Sequence, residues 1–326
     1  MAIAKSDINT VVYDPPRAGQ LAVDYVTTLQ ETANAGLKSG LGDLDGILVP
    51  FRPGNLVTVI GYTSNLKSTF MDFLAMQALR QINRDKNEFI CKVTWEQSVE
   101  EDTLGWIASR GGLSITKMAR GTLNENEWQT LRGAAVERQA TPLWIMGHSQ
   151  QEFKTSRQSR PMLTMRDVAR GLEVIINDTV EGEKLQPRLI VLDYLQRIRP
   201  DEKDGGSTRR EQMMMIVDHA KNLAIAYGCV VVLGVQAGRQ VIQRDVKLPT
   251  LDDGQETSNI EQSSDVAFSC WYPIKSEPRG STVFGKYTVD EHLFILGLLK
   301  QKLGPAPETY ALYVDPEKRM IAHRTK

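Results

Sequence analysis

LVTVIGYTSNLKST, residues 56–69, passes from an apolar, β-branched run through a short polar turn into a helical pattern that opens on Lys67, Ser68 and Thr69. A strand, a tight turn and a helix in that order bring backbone N–H groups and a helix N-terminus to one point, which suits an anion. On this reading Gly61, Thr63, Ser64, Asn65, Leu66 and Thr69 belong to a phosphate cradle, Lys67 reaches the outer phosphates, and the Ser68 hydroxyl is a ligand for Mg²⁺. The pattern G-x-x-x-x-G-K-[ST] calls for glycine where this chain has Leu66. A Cβ disfavours left-handed backbone by about 1 kcal/mol or more, so the leucine predicts a loop that is either opened or strained.

Outward from this stretch a βα rhythm sets in, with apolar runs at 89–95, 142–146, 188–193 and 229–235 and helical patterns near 99–109, 163–180 and 210–227. Runs that are apolar throughout belong to a parallel sheet covered on both faces, which makes the fold class α/β. Beyond residue 265 the helices stop, and the runs 265–272, 292–299, 308–314 and 320–324 are separated by Gly/Pro turns, which predicts an antiparallel extension of the same sheet.

Three polar side chains stand where these strands end. Asp193 closes RLIVLD, and a carboxylate in so apolar a run needs a partner such as Mg²⁺ or its water shell, the Walker B arrangement. An aspartate capping the next turn is the plainer alternative. Glu96 follows FICKVTW, where it could orient and deprotonate an attacking water, and Gln236 follows CVVVLGV, placed to sense a terminal phosphate. In open α/β sheets the carboxyl ends of the strands face one crevice, where ligands bind.

The remaining numbers exclude more than they propose. Lys and Arg total 39 against 40 Asp and Glu, so nucleic-acid contact has to come from local loops rather than a basic face. No run nears the ~18 apolar residues of a membrane span, which predicts a cytoplasmic protein without a membrane partner. Cys91, Cys229 and Cys270 and the four histidines match no metal-ligand spacing.

The stretch GLKSGLGDLDGILVPFRPGNLVTVIGYTSNLKSTF (36–70) resembles the entry to the motor domain of DnaB-type replicative helicases. TWEQSVEEDTLGWIASRGGLSITKMARGTL (94–123), LIVLDYLQRIRP (189–200), VVVLGVQAGR (230–239), NIEQSSDVAF (259–268) and LLKQKLGP (298–305) follow in that family's order. The resemblance implies a RecA-like three-layer α/β/α P-loop core with the antiparallel extension at its C-terminus. It also implies an N-terminal arm and linker helix over 1–35, an ATPase domain over 36–326, and ATP with Mg²⁺ as cofactors. Lys67 and Ser68 then contact phosphate and Mg²⁺, Asp193 is the Walker B acid, Glu96 the general base and Gln236 the sensor.

Within LLKQKLGP the resemblance makes Lys300 the lysine that reaches a neighbour's site, and Lys302 stands where the family has an arginine finger. A lysine lacks the planar, bidentate fork of arginine; both lysines could equally be solvated ends of a hairpin. The family's channel loops correspond to 251–265 and 200–210. There Gln255, Glu256 and Ser258, with Gln and Ser in place of the usual Arg and Gly, and Arg209 and Arg210 are the expected contacts to single-stranded DNA. Capping of the following helix is an alternative for the two arginines. A homo-hexameric or similar ring moving 5′ to 3′ on single-stranded DNA is the implied activity, with a loader or primase as further partners. A ring-forming, nucleotide-binding scaffold with impaired hydrolysis is the alternative that Leu66, Lys302 and Gln255 favour.

Overall fold

Long-range strand pairing accounts for the apolar runs. The computed structural model describes residues 13–31, 36–151, 163–178, 182–201, 207–254 and 259–324. Within them one sheet is built from β1 (Leu56–Gly61), β2 (Glu88–Thr94), β3 (Leu143–Met146), β4 (Gln186–Asp193), β5 (Val230–Gln236), β6 (Val266–Trp271), β9 (Leu293–Gln301), β10 (Glu308–Asp315) and β11 (Met320–His323). Their order across it is β11-β10-β9-β6-β1-β5-β4-β2-β3. From β6 to β3 all neighbours are parallel, and β9, β10 and β11 extend the sheet in antiparallel sense, as the change of character after residue 265 predicts. Every residue of β1 and β6 is buried, the reason these strands show no polar alternation. A small hairpin, β7 (Thr282–Val283) with β8 (Tyr287–Thr288), interrupts the extension and was not legible in the sequence.

The chain divides into two units, Met1–Leu37 and Lys38–Lys326. In the first, helix α1 spans Pro15–Glu31, so the helix opens on the two prolines of Asp14-Pro15-Pro16-Arg17. The Asp14 carboxylate accepts the Arg17 N–H at 2.8 Å and so caps the helix. Pro15 takes the first helical position, where a missing N–H and a fixed φ cost nothing. Leu21, Val23, Tyr25 and Val26 are exposed on this helix.

In the second unit a short turn of helix α2 (Gly42–Asp45) precedes β1, and α3 (Lys67–Leu79) follows it. After β2 come α4 (Val99–Gly111), α5 (Ile115–Arg120) and α6 (Glu125–Gln139). Then follow α7 (Met165–Asn177), α8 (Arg209–Ala226) and α9 (Asn259–Ser263). Helices α5 and α6 lie beyond the helical pattern read near 99–109. Their starts are set by Ser114 and by an Asn124–Glu127 capping box.

Two helical layers sandwich the sheet. On one face Met165, Val168 and Leu172 of α7 and Met213, Ile216 and Ala220 of α8 pack on Ile190, Leu192, Val231 and Leu233. Strand side chains of opposite parity face α3. There Phe70 stacks edge-on to Phe268 of β6 with ring centroids 5.4 Å apart and lies 6.3 Å from Phe294 of β9. Phe51 closes the group at 6.2 Å from Phe268. This ring cluster fixes the helix that begins at Lys67 against the sheet. Phe268→Ala should therefore cost about 3–5 kcal/mol in urea unfolding; a loss under about 1 kcal/mol would mean that the cluster does not anchor α3.

Candidate functional site

Strand β1 ends at Gly61, and the turn that follows is folded tightly onto the start of α3. A Cβ on Gly61 would stand 3.2 Å from Cβ of Lys67, so glycine is what lets the chain double back there. Asn65 braces the turn from inside. Its amide donates to the Thr63 carbonyl at 3.1 Å, and its Oδ1 accepts the Tyr272 N–H beyond β6 at 2.8 Å. Thr63 and Ser64 are exposed, Thr69 is buried, and Ser64 and Leu66 carry φ of 62° and 61°. Leu66, at ψ 22°, is the left-handed residue that precedes the helix. Of the two outcomes its side chain predicts, the structure adopts the strained one: the turn keeps its compact form and the leucine tolerates an unfavourable backbone.

The Lys67 ammonium lies 3.1 Å from Oδ1 of Asp193, with both side chains at most 10% exposed, and 4.4 Å above the Tyr194 ring. Space for it comes from Gly234 of β5. A Cβ at that position would approach Met71 Cε to 2.9 Å and Lys67 Nζ to 3.2 Å. Gly234 escaped the sequence reading, although a glycine inside a buried β-branched strand is a standing signal of close approach. Asp193 is buried, which by itself raises a carboxyl pKa. The charges of Lys67 and Lys92 and the hydrogen bonds from Ser68 and Lys67 outweigh that effect and hold it below the ordinary aspartate value. Lys67, Ser68 and Asp193 thus form one contact group.

Gln236 joins it from β5, which pairs with β1 so that Gln236 lies opposite Gly61. Its Nε2 donates to Oγ1 of Thr63 at 2.8 Å. Gln196, which the sequence reading did not single out, grips the Gln236 backbone from both sides, accepting its N–H at 3.1 Å and donating to its carbonyl at 3.3 Å. The Arg209 guanidinium donates in turn to the Gln196 carbonyl at 2.8 Å. Glu96 is exposed just past β2, whose Thr94 is level with Asp193 on β4. The Thr94 hydroxyl pins the intervening turn by donating to the Gln97 carbonyl at 3.0 Å and accepting the Gln97 N–H at 3.2 Å.

The other expected residues lie elsewhere. Lys300 is on β9 level with Ala267 near the start of β6, at the end of the sheet opposite the turn, and its ammonium donates to the Glu261 carbonyl at 2.5 Å. Lys302 is exposed just beyond it. Arg209 and Arg210 open α8 and are exposed, but the cap is Thr208, paired with Glu211, not either arginine. Gln255, Glu256 and Ser258 lie outside the described residues. The segment leading to them hangs from the end of β5, since Ala237 bridges Gly254 and the Gly238 N–H donates to the Asp253 carbonyl at 2.9 Å. Among the described residues no group of three His, Cys, Asp or Glu side chains could hold a metal ion.

Residues 36–306 match the model of the DnaB-like helicase C terminal domain. The chain belongs to this family. A replicative DNA helicase DnaB of Rickettsia bellii (strain RML369-C) is 27% identical over 313 residues, which cover 89% of this chain and 58% of that protein. A probable replicative DNA helicase of Trieres chinensis is 24% identical over 273 residues, 83% of this chain and 54% of that protein. The chain thus spans about half the length of the curated relatives it matches. Among solved structures, the ATPase domain of G40P superposes with a TM-score of 0.75 at 20% identity, covering 94% of this chain and 98% of that one. A DnaB-like replicative helicase, studied with its interactions with primase, gives a TM-score of 0.72 at 20% identity over 91% of this chain and 65% of that one. The fold of this DnaB-family chain is accordingly RecA-like.

For this family member the left-handed Leu66 yields a direct check. Leu66→Gly should be more stable than Leu66→Ala by about 1 kcal/mol in urea unfolding, because alanine keeps the Cβ that disfavours positive φ and glycine does not. Equal stability of the two variants would show that residue 66 is not held left-handed.

Proposed function

We propose that this chain is the ATP-hydrolysing motor domain of a DnaB-type replicative helicase. In this reading residues 1–35 are its arm and linker helix and 36–326 its ATPase domain. The observation that carries the reading is the joining of Lys67, Ser68 and Asp193 into one contact group at the carboxyl ends of parallel strands, with Gln236 bonded to the same turn. Such a group has no packing role that apolar residues would not fill better.

The cradle 61–69 binds the phosphates, with Lys67 leaving Asp193 for the β- and γ-phosphates. Ser68 and Asp193 supply the hard oxygen donors that Mg²⁺ prefers, and they already meet in space. The bound ion would neutralise phosphate charge. Glu96, exposed beyond the strand next to Asp193, takes the proton of the attacking water. Gln236 reads the terminal phosphate and passes its position through Gln196 to Arg209 and through Ala237 to the segment before 255–258. Single-stranded DNA then meets Arg209, Arg210 and the 251–265 segment, with Gln255, Glu256 and Ser258 in it, mainly through phosphates.

Lys300 and Lys302 stand at the opposite end of the sheet from Lys67, so a contribution to hydrolysis has to come from a neighbouring copy. This supports a ring of identical subunits, six by family resemblance, moving 5′ to 3′. The exposed apolar side chains of α1 support the same assembly. A loader or primase is the further partner class that the resemblance proposes. Among the described residues no helix is long and apolar enough to cross a membrane, in line with a cytoplasmic site of action.

A second reading, a ring-forming scaffold with impaired hydrolysis, is favoured by the strained Leu66 and by lysine at position 302. An ATPase assay with and without single-stranded DNA separates the two: stimulated turnover supports the motor, and nucleotide binding without turnover supports the scaffold. Lys67→Ala should lose ATP binding measurable by calorimetry, and equal affinity in variant and wild type would sink both readings. With ATP and DNA present, mass photometry should detect a ring; monomer alone would count against assembly. DNA affinity should fall steeply with salt and drop further in Arg209→Ala plus Arg210→Ala.

A further inference from the structure

Below the phosphate turn, on the face of the sheet that carries α3, lies a group of charges that touches the site only through the field of Lys92 on Asp193. Lys92 of β2 is 3% exposed, and its ammonium is paired with the carboxylates of both Asp72 and Asp102. Asp72 belongs to α3, four residues after Ser68 and so one turn below it on the same helical face. Asp102 belongs to α4, the helix that follows the Glu96 turn. Arg319, in the turn between β10 and β11, reaches Asp72 at 3.6 Å and completes a neutral set of two cations and two carboxylates. Burial alone lowers the Lys92 pKa, but the charges of Asp72, Asp102 and Asp193 outweigh it and keep the group cationic.

The placement of this group relative to the chemistry is what makes it more than a structural ion pair. Lys92 shares a face of β2 with Thr94, whose hydroxyl pins the turn holding Glu96. Lys92 therefore links, through one side chain, the helix that starts with Lys67 and Ser68 to the strand that leads into the Glu96 turn. Apolar residues could fill the same space at equal or better stability. A fixed salt bridge sets the separation of the two elements more sharply than non-directional packing does.

We propose that Lys92 is a positioning residue for hydrolysis, holding the phosphate-binding helix and the Glu96 strand at the spacing that the attacking water needs. The inference rests on reading Glu96 as the base of an ATPase. Displacement of about 1 Å can cost on the order of 100-fold in rate, whereas phosphate binding depends on the turn and Lys67, which Lys92 reaches only through its charge on Asp193.

Lys92→Met alone strands the buried Asp102 carboxylate and could fail to fold, so the informative variant is Lys92→Met with Asp102→Asn. It deletes one buried pair and leaves Asp72 with Arg319. This full-length double variant should keep its unfolding midpoint within a few degrees and bind ATP within about threefold of wild type. Its kcat in the presence of single-stranded DNA should fall at least tenfold, with KM little changed. A folded double variant with wild-type kcat overturns the role of Lys92 and leaves the motor reading intact. A parallel loss of ATP affinity and turnover also overturns it, since the residue would then support the whole site rather than one distance. Absence of turnover in the wild-type protein, with ATP bound, overturns the ATPase reading and this inference with it.

Discussion

Asp193 terminates the buried aliphatic run Leu189–Leu192, and an ionised carboxylate in that setting is unfavourable by several kcal/mol unless it is compensated. Lys67, at 3.1 Å, and Ser68 provide the compensation. They can do so only if the turn 61–66 delivers α3 directly over the end of β4. That requirement propagates through the fold. Gly61 lets the turn close, Gly234 clears room for the lysine, Asn65 ties the turn to the end of β6, and Phe70 holds the helix on the sheet. Leu66 shows how strong the demand is, because a branched side chain is kept at φ 61° instead of relaxing the turn.

The sheet order makes this convergence possible. Strands β1, β5, β4 and β2 lie side by side and run the same way, so each ends at the same edge and delivers one polar group there. Chain order differs from spatial order, since β4 and β5 are inserted between β2 and β1. Antiparallel β9 necessarily carries Lys300 to the opposite edge. A single RecA-like unit thus presents its phosphate turn at one end and its two lysines at the other, a polarity that suits head-to-tail association.

Two kinds of connection radiate from the phosphate turn. One is a hydrogen-bonded line of neutral groups, Thr63 to Gln236 to Gln196, reaching Arg209 at the start of α8. The other is the buried charge group on Lys92 beneath α3 and β2. The first lies along the rim, where side chains can exchange partners. The second is enclosed, where breaking a pair leaves a charge uncompensated, so it resists displacement.

Much of this was legible in the residues alone. Period and composition identified the parallel strands and the change to antiparallel pairing, and the chemistry of polar groups at strand ends singled out Lys67, Ser68, Asp193, Glu96 and Gln236 before any of them could be placed together. Local rules reached less far where two signals conflicted, as at Pro15, whose ring reads as a breaker until the Asp14 cap makes it a helix start. What local sequence could not decide was partnership. Lys67 and Asp193 are 126 positions apart, and Lys92 looks like a stray charge in an apolar strand until β2, α3 and α4 are stacked. The sequence determined which groups each strand and turn would offer, because propensity and polarity are properties of the local chain. Which groups meet was decided by strand order and register, which arise only when both faces of the sheet are covered and the whole core closes.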